Sequence, residues 1–250
     1  MAITEIIRFG SKASPNSHSE QRVDNATIQE AIEALRESKR ARHEMLGTEV
    51  QDQTAVQMTA EWDDFHQTHA GTSPIVDNVR SYLGDPSNIF HVELSQPILG
   101  PDGAGTSNVV EFAANYFPTA SFSPDLQKKI EEDFLRFDEI CVKGLKGNSD
   151  SSHGWVQEEQ TRDGEKMKCF IIVRGWESMD HFVQSTKSEA FSEAIPILYA
   201  WNAPYEIVSV DFVLTETIVL KLTICSGMSI ESLDITSVTF RLRRSLGSTT

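Results

Sequence analysis

Two segments of this chain combine a large aromatic residue with histidine: Trp62 is followed by His66 and His69, and Trp176 by His181 and Phe182. An imidazole titrates near pH ~6.5, so each of these histidines can accept a proton at neutral pH. His66 and His69 stand three positions apart, one helical face and also a two-ligand spacing, but no third ligand lies nearby and no metal is implied. Asn115 and Tyr116 interrupt an apolar, strand-like run, and a buried amide needs hydrogen-bond partners, which makes Asn115 a pointer to a polar cavity. Trp62 and Trp176 equally suit the capping of a core at a strand end. His91 and His153 are single histidines with no partner evident in the sequence. Nothing has the form of a glycine-rich nucleotide loop or a serine nucleophile elbow.

The elements that must position these groups are organised around Cys169 to Trp176. Cys169, Ile171 and Val173 point one way from an extended backbone, and Phe170, Ile172 and Arg174 the other, so this strand is apolar on nearly both faces. It needs helices on one face and a second sheet on the other. Strands are expected at Thr4 to Phe9, Thr48 to Gln51, Ala55 to Glu61 and Ile89 to Ser95. A helix is expected from Asn25 to Leu46, on the stripe Ile28, Ile32, Leu35 and Leu46, and another from Ile75 to Leu83 behind Pro74. Pro97 to Ser107, with two prolines and three glycines, reads as a linker after a first unit of residues 1–97.

The same order then recurs over residues 108–213. Val109 to Phe117 reads as a strand and Leu126 to Leu145 as an amphipathic helix. Gly154 to Glu158 and Lys166 to Arg174 pair across the turn Arg162-Asp-Gly-Glu, a helix runs from Ser188 to Leu198, and Tyr205 to Val213 closes the unit. The distance from Ile6 to Gly47 matches that from Phe112 to Gly154, and Trp62 to Phe90 matches Trp176 to Tyr205, each to within one residue, which supports a duplication. Residues 214–250 have no counterpart and read either as an added hairpin or as a poorly ordered tail.

Composition narrows the function. A formal net charge of -15 repels phosphates, so nucleic acid and anionic membrane are poor partners. Three cysteines leave one unpaired under any pairing, and neither a secretory signal nor a long apolar run is evident. A cytoplasmic protein with reduced thiols is expected.

A β-α-β-β-α-β unit with a glycine before its second strand and a tryptophan ending its third resembles the dimeric α/β-barrel superfamily, and within it the antibiotic biosynthesis monooxygenase-like proteins. The resemblance is carried by His153-Gly-Trp-Val, Phe170-Ile-Ile-Val-Arg-Gly-Trp-Glu-Ser, His181-Phe and Ser188-Glu-Ala-Phe, and more faintly by Leu46-Gly-Thr-Glu-Val and Glu61-Trp-Asp-Asp-Phe-His. It implies an α+β fold of two tandem ferredoxin-like units whose antiparallel sheets form the barrel within one chain, as in many tandem fungal proteins. A monomer or a weak homodimer would follow. It also implies a cofactor-independent monooxygenase acting on an aromatic, polyketide-like molecule, with His181 or His66 as base, Asn115 or Tyr116 holding an oxyanion, and Trp62, His69, Trp155, Trp176 and Phe182 around the substrate. A non-catalytic barrel that binds a ligand, and a cyclase or decarboxylase using the same pocket, are the alternatives. The haem-degrading pattern does not carry over, because Thr72 and Thr186 stand where a histidine would follow each tryptophan.

Overall fold

Side chains alternate across a strand, so β1 (Ile3–Phe9) turns Glu5, Ile7 and Phe9 to one side and Thr4, Ile6 and Arg8 to the other. The computed structural model describes residues 2–10, 25–38, 41, 43–63, 74–100, 103–142 and 148–213. After β1 come α1 (Asn25–Ser38), β2 (His43–Glu49), β3 (Val56–Trp62), α2 (Pro74–Leu83) and β4 (Asn88–Val92). The order repeats with β5 (Val109–Pro118), α3 (Pro124–Val142), β6 (Asn148–Trp155), a short β7 (Gln160–Arg162), β8 (Glu165–Trp176), α4 (Met179–Ser185), α5 (Glu189–Tyr199) and β9 (Tyr205–Val213).

The described strands belong to one antiparallel sheet in the order β4-β1-β3-β2-β9-β5-β8-β6, with β7 paired to β8. Its two ends meet. Val92 at the end of β4 bridges Val156 just past β6, Gln157 N–H donates to the His91 carbonyl and Ser95 N–H to the His153 carbonyl. The sheet therefore wraps into a nearly closed barrel, the ferredoxin-like α+β arrangement expected from the sequence. Its interior is filled: Ile6, Phe90, Val110, Cys169, Val173 and Phe212 are buried there. At one end Arg8 lies 3.4 Å from Glu49 and 3.0 Å from Glu206, while the Arg162 guanidinium covers the Tyr116 ring at 4.5 Å. A pocket of about 20 Å³ remains among Ile6, Arg8, Phe90, Phe112 and Ile171, room for about one water.

Several elements differ from expectation: the strand expected at Thr48 to Gln51 runs over His43–Glu49, where β3 pairs with it, and the short helix Met179–Ser185 is not among the expected elements. The helix expected to reach Leu46 ends at Ser38, and Leu46 is a buried residue of β2, because the ladder pairing Met45 with Thr59 and Leu46 with Met58 takes up the backbone that the helical stripe would have used. The strand expected at Gly154 to Glu158 begins instead at Asn148. Its polar stretch shows no alternation, and the pairing of Ser152 with Val173 and His153 with Ile172 sets its course. Part of the Pro97 to Ser107 connection is packed rather than solvated: Ile98 and Leu99 are about 1% exposed, and both backbone N–H groups donate to the Glu61 carboxylate, at 2.8 and 3.0 Å. Residues 214–250 lie outside the described residues.

Both joins between the halves rest on a glycine. A Cβ on Gly47 would lie 2.5 Å from the Asp211 carbonyl oxygen and 2.8 Å from the Phe212 Cα, across the β2–β9 ladder. One on Gly154 would come closer still to the Glu93 carbonyl oxygen, at the β4–β6 join. That second join carries an ionic latch. The His91 imidazole bonds Glu158 through Nδ1, its Nε2 is 3.3 Å from Glu5 Oε1, and its backbone N–H donates to Glu158 at 3.0 Å. Burial would push the His91 pKa down, but hydrogen bonds and charge from Glu158 and Glu5 outweigh it and raise it to about 9.

Two outcomes follow. Gly154→Ala is expected to destabilise the protein by about 1–3 kcal/mol or more in urea unfolding, since backbone must move to admit the methyl group. A folded pKa raised above the unfolded value near ~6.5 gives stability that is complete below pH ~6.5 and lost as pH rises through 9. Urea midpoints measured from pH 6 to 10 are expected to fall over that window, and His91→Gln is expected to remove the fall.

Candidate functional site

The register of the sheet makes the two halves comparable position by position. Glu5, Ile7 and Phe9 of β1 face Ala60, Met58 and Val56, and Glu111, Ala113 and Asn115 of β5 face Arg174, Ile172 and Phe170. In the first half this surface is packed shut: Ile7 and Phe9 meet Ile28, Ile32 and Leu35 of α1 and Ile75 and Val79 of α2, all buried. In the second half Ala113 replaces Ile7 and Asn115 replaces Phe9, and volume is lost at the same two places. The result is a cavity of about 550 Å³ between β5, β8 and β9 on one side and α3, α4 and α5 on the other. That is the size of a site for a small organic molecule.

Its wall is mostly apolar, with Phe134, Phe137, Ile172, Phe191 and Ile195 prominent. The exposed Tyr199 and Tyr205, at 65% and 58% accessibility, lie on its rim, and its charged side chains, Glu111 and Arg174, come from the β5–β8 ladder. There Glu111 stands directly across the ladder from Arg174 and accepts a hydrogen bond from the Trp176 indole N–H at 2.7 Å. Glu111 lies deep in the molecule yet keeps surface open to the cavity. Burial pushes its pKa up, opposed by the Trp176 hydrogen bond and the Arg174 charge. The Arg174 side chain is only 7% exposed and donates through Nη2 to Asp138 on α3, while its buried Nη1 has no hydrogen-bond partner among the described residues. The Asn115 amide makes only long contacts, 3.5 Å to each of the Ala113 and Phe170 carbonyls.

The residues singled out from the sequence divide accordingly. Asn115, Trp176 and Phe182 share the cavity wall, with the Phe182 and Trp176 ring centroids 5.6 Å apart. Tyr116 is one position along from Asn115 and so on the opposite face, inside the barrel beneath Arg162, where burial above all raises its pKa to about 12. Trp155 packs in the neighbouring aromatic core against Phe122 and Phe170, its indole N–H on Glu131 at 2.7 Å. His181 is off the wall; its Nδ1 is 3.2 Å from Ser178 Oγ at the start of α4 and 3.5 Å from Glu177. Trp62 is buried in the first half, donating to Glu5 at 2.9 Å as Trp176 does to Glu111. His66 and His69 lie outside the described residues.

Glu111 and Arg174 are the functional candidates that the motif reading passed over. Each is a charged residue in a strand whose neighbours are apolar on both sides, and a charge in a strand covered twice must be paired and carries a reason for being there.

No protein-family model matches the sequence, and no curated protein matches it. Solved structures match by fold. An anthrone oxidase-like protein aligns with a TM-score of 0.53 and 13% identity over 85% of this chain and 91% of its own. A candidate chlorite dismutase aligns at 0.52 and 11% identity, covering 88% and 99%. A candidate monooxygenase from Lactobacillus acidophilus aligns at 0.50 and 9% identity, covering 84% and 93%. Likeness at this level of identity is one of fold, and it agrees with the ferredoxin-like barrel.

The Trp176 hydrogen bond favours the charged form of Glu111, so Trp176→Phe is expected to raise the Glu111 pKa further. Infrared titration of the carboxyl stretch, assigned by its loss in Glu111→Gln, is the measurement; a Glu111 pKa unchanged in Trp176→Phe would contradict the assignment.

Proposed function

We propose that the second half of the chain is a monooxygenase-like site for an aromatic, polyketide-like small molecule, and that Glu111 is its base. The observation that carries the reading is a carboxylate in the wall of an aromatic-lined cavity, its pKa raised by burial. A carboxylate held above its usual range is a stronger base than an ordinary one.

The chemistry follows from those groups. An anthrone-type methylene flanked by aryl rings transfers a proton to Glu111, and the carbanion that remains is delocalised over the ring system. It passes electrons to dioxygen and forms a peroxide at that carbon. Glu111 returns its proton to the peroxide and takes the remaining hydrogen of that carbon as the O–O bond breaks, and the departing hydroxide picks up that proton, leaving a ketone, so CH₂ and O₂ become C=O and H₂O. Phe134, Phe137 and Phe191 suit the flat ring faces and keep water away, and the loosely held Asn115 amide is placed to donate to an oxygen of the substrate. His181, off the wall, is not needed as the base.

The tandem reading belongs with this one. Glu5 with Glu111, Trp62 with Trp176, and Gly47 with Gly154 occupy matching places, which favours descent from one duplicated unit. Among the described residues the space for a substrate lies in the second copy, and a barrel completed within one chain favours a monomer.

Dioxygen uptake with an anthrone tests the proposal. Glu111→Gln is expected to lower kcat by about 10²–10⁴, the usual loss of a general base, and His181→Ala to leave it near the wild-type value. A Glu111→Gln protein oxidising at the wild-type rate would overturn the assignment.

A further inference from the structure

The chain that leads from α5 into β9 runs along one side of the cavity and carries no charge. From Ala194 to Tyr205, twelve consecutive residues are uncharged in a protein of which 24% is charged. Tyr199, Trp201 and Tyr205 of this run line the cavity, as does Ile207 just beyond it. Tyr199 and Tyr205 are also the two most exposed large apolar side chains among the described residues, and Ile207, two positions from Tyr205 and so on the same face of β9, is exposed as well. Residues that are at once surface and wall mark where the cavity reaches the outside. This rim is not loose. Trp201 N–H donates to the Leu198 carbonyl and Asn202 N–H to that of Tyr199, each at 3.1 Å, and the Pro204 carbonyl accepts from Tyr116 N–H at 2.9 Å. The Trp201 ring packs on Phe117 and Phe170, with its indole N–H on Asp133 at 3.1 Å. A fixed backbone therefore displays two aromatic side chains to the outside, and exposed apolar surface of that kind marks a contact.

The place and the charge of this collar narrow what can cover it. A partner protein or a second copy seated there would shut the cavity against its ligand. A lipid surface would instead be the source of the ligand, since a molecule that suits an aromatic-walled cavity is drawn from water into lipid. Tyrosine, an apolar ring with one polar end, fits the boundary between headgroups and hydrocarbon. A net charge of -15 turns away anionic lipid, but a zwitterionic surface asks for no charge, and the collar has none. No helix among the described residues is long and apolar enough to cross a membrane, so the contact is peripheral.

We propose that Tyr199, Tyr205 and Ile207 dock the protein on zwitterionic lipid surfaces with the cavity rim against the lipid, so that an apolar ligand passes from lipid to cavity without crossing water. The proposal goes beyond the oxidation: it needs the cavity and its rim, and neither Glu111 nor dioxygen.

The test is flotation of the full chain with vesicles. With phosphatidylcholine alone the protein is expected to float with the vesicles, and replacing part of that lipid by phosphatidylglycerol is expected to weaken binding. A Tyr199→Glu, Tyr205→Glu double variant is expected to bind about tenfold or more weakly, the scale of losing the burial of two rings. Tyr82→Glu, at an exposed tyrosine of α2 in the first half, is expected to bind like the wild type. Anthracene carried in the vesicles, read by energy transfer from tryptophan, is expected to reach the wild-type cavity at a rate that rises with vesicle concentration. No flotation with phosphatidylcholine, stronger binding with phosphatidylglycerol, a folded double variant that binds like the wild type, an equal loss in Tyr82→Glu, or anthracene transfer independent of vesicle concentration would each overturn the proposal. So would a wild-type dimer that the double variant separates, which would give the collar to a second copy. Vesicle binding without dioxygen uptake on an anthrone would count against the oxidation alone, and uptake without vesicle binding against the docking alone.

Discussion

The close approach of backbone to backbone at Gly47 and Gly154 is the constraint on which the rest of the molecule depends. Each half of the chain makes a four-stranded antiparallel sheet with helices on one face, and such a sheet alone leaves its other apolar face in water. Burying that face against its counterpart requires the outer strand of each half to reach the other. At both places the strands come so near that even a methyl group has no room. Closure then hides Ile6, Phe112, Val173 and Phe212 together, with a void of about 20 Å³ among them. The barrel interior is therefore a core, and any ligand must be housed on the helix side of the sheet.

On that outer side the halves are the same device built to different ends. Both place a glutamate on the first strand and a tryptophan at the end of the third, with the indole N–H on the carboxylate. Around Glu5 the space is closed by Ile7, Phe9 and two helices, and the charge is handed to His91 and through it to Glu158 across the join. Around Glu111 the same positions carry Ala113 and Asn115, and where Ala60 faces Glu5, Arg174 faces Glu111. One glutamate thus serves the join between the halves and the other faces open volume. A few side-chain sizes at matched positions separate a structural half from one with a site.

How far the sequence could be read depended on whether the signal was local. The strand Cys169 to Trp176 announced its double burial through its own composition. The end of α1 and the start of β6 were hidden because strand partners distant in sequence decide them: Leu46 fits a helical stripe as well as a ladder, and the polar run before Gly154 has no alternation to read. Of the cavity wall, Asn115 and Trp176 were legible as residue types on their strands, and Phe182 as an aromatic close behind Trp176. Tyr116 was misplaced by a neglect of alternation, since neighbours on a strand cannot share a wall. Glu111 and Arg174 were visible as charges in apolar strands, but their pairing is a matter of register between segments far apart in the chain, and the sequence holds no direct record of that register.

The account makes one claim above the rest, that the helix side of the second half, and neither the barrel interior nor the first half, is where a flat aromatic molecule binds. A crystal structure of the chain soaked with a hydroxylated anthraquinone tests it most directly. The expected result is one molecule between β5, β8 and α3, ring faces against Phe134 and Phe137 and an oxygen within hydrogen-bond distance of Arg174. A molecule seated between the barrel strands or beneath α1 and α2, or an occupied cavity with no oxygen directed at Arg174, would contradict it.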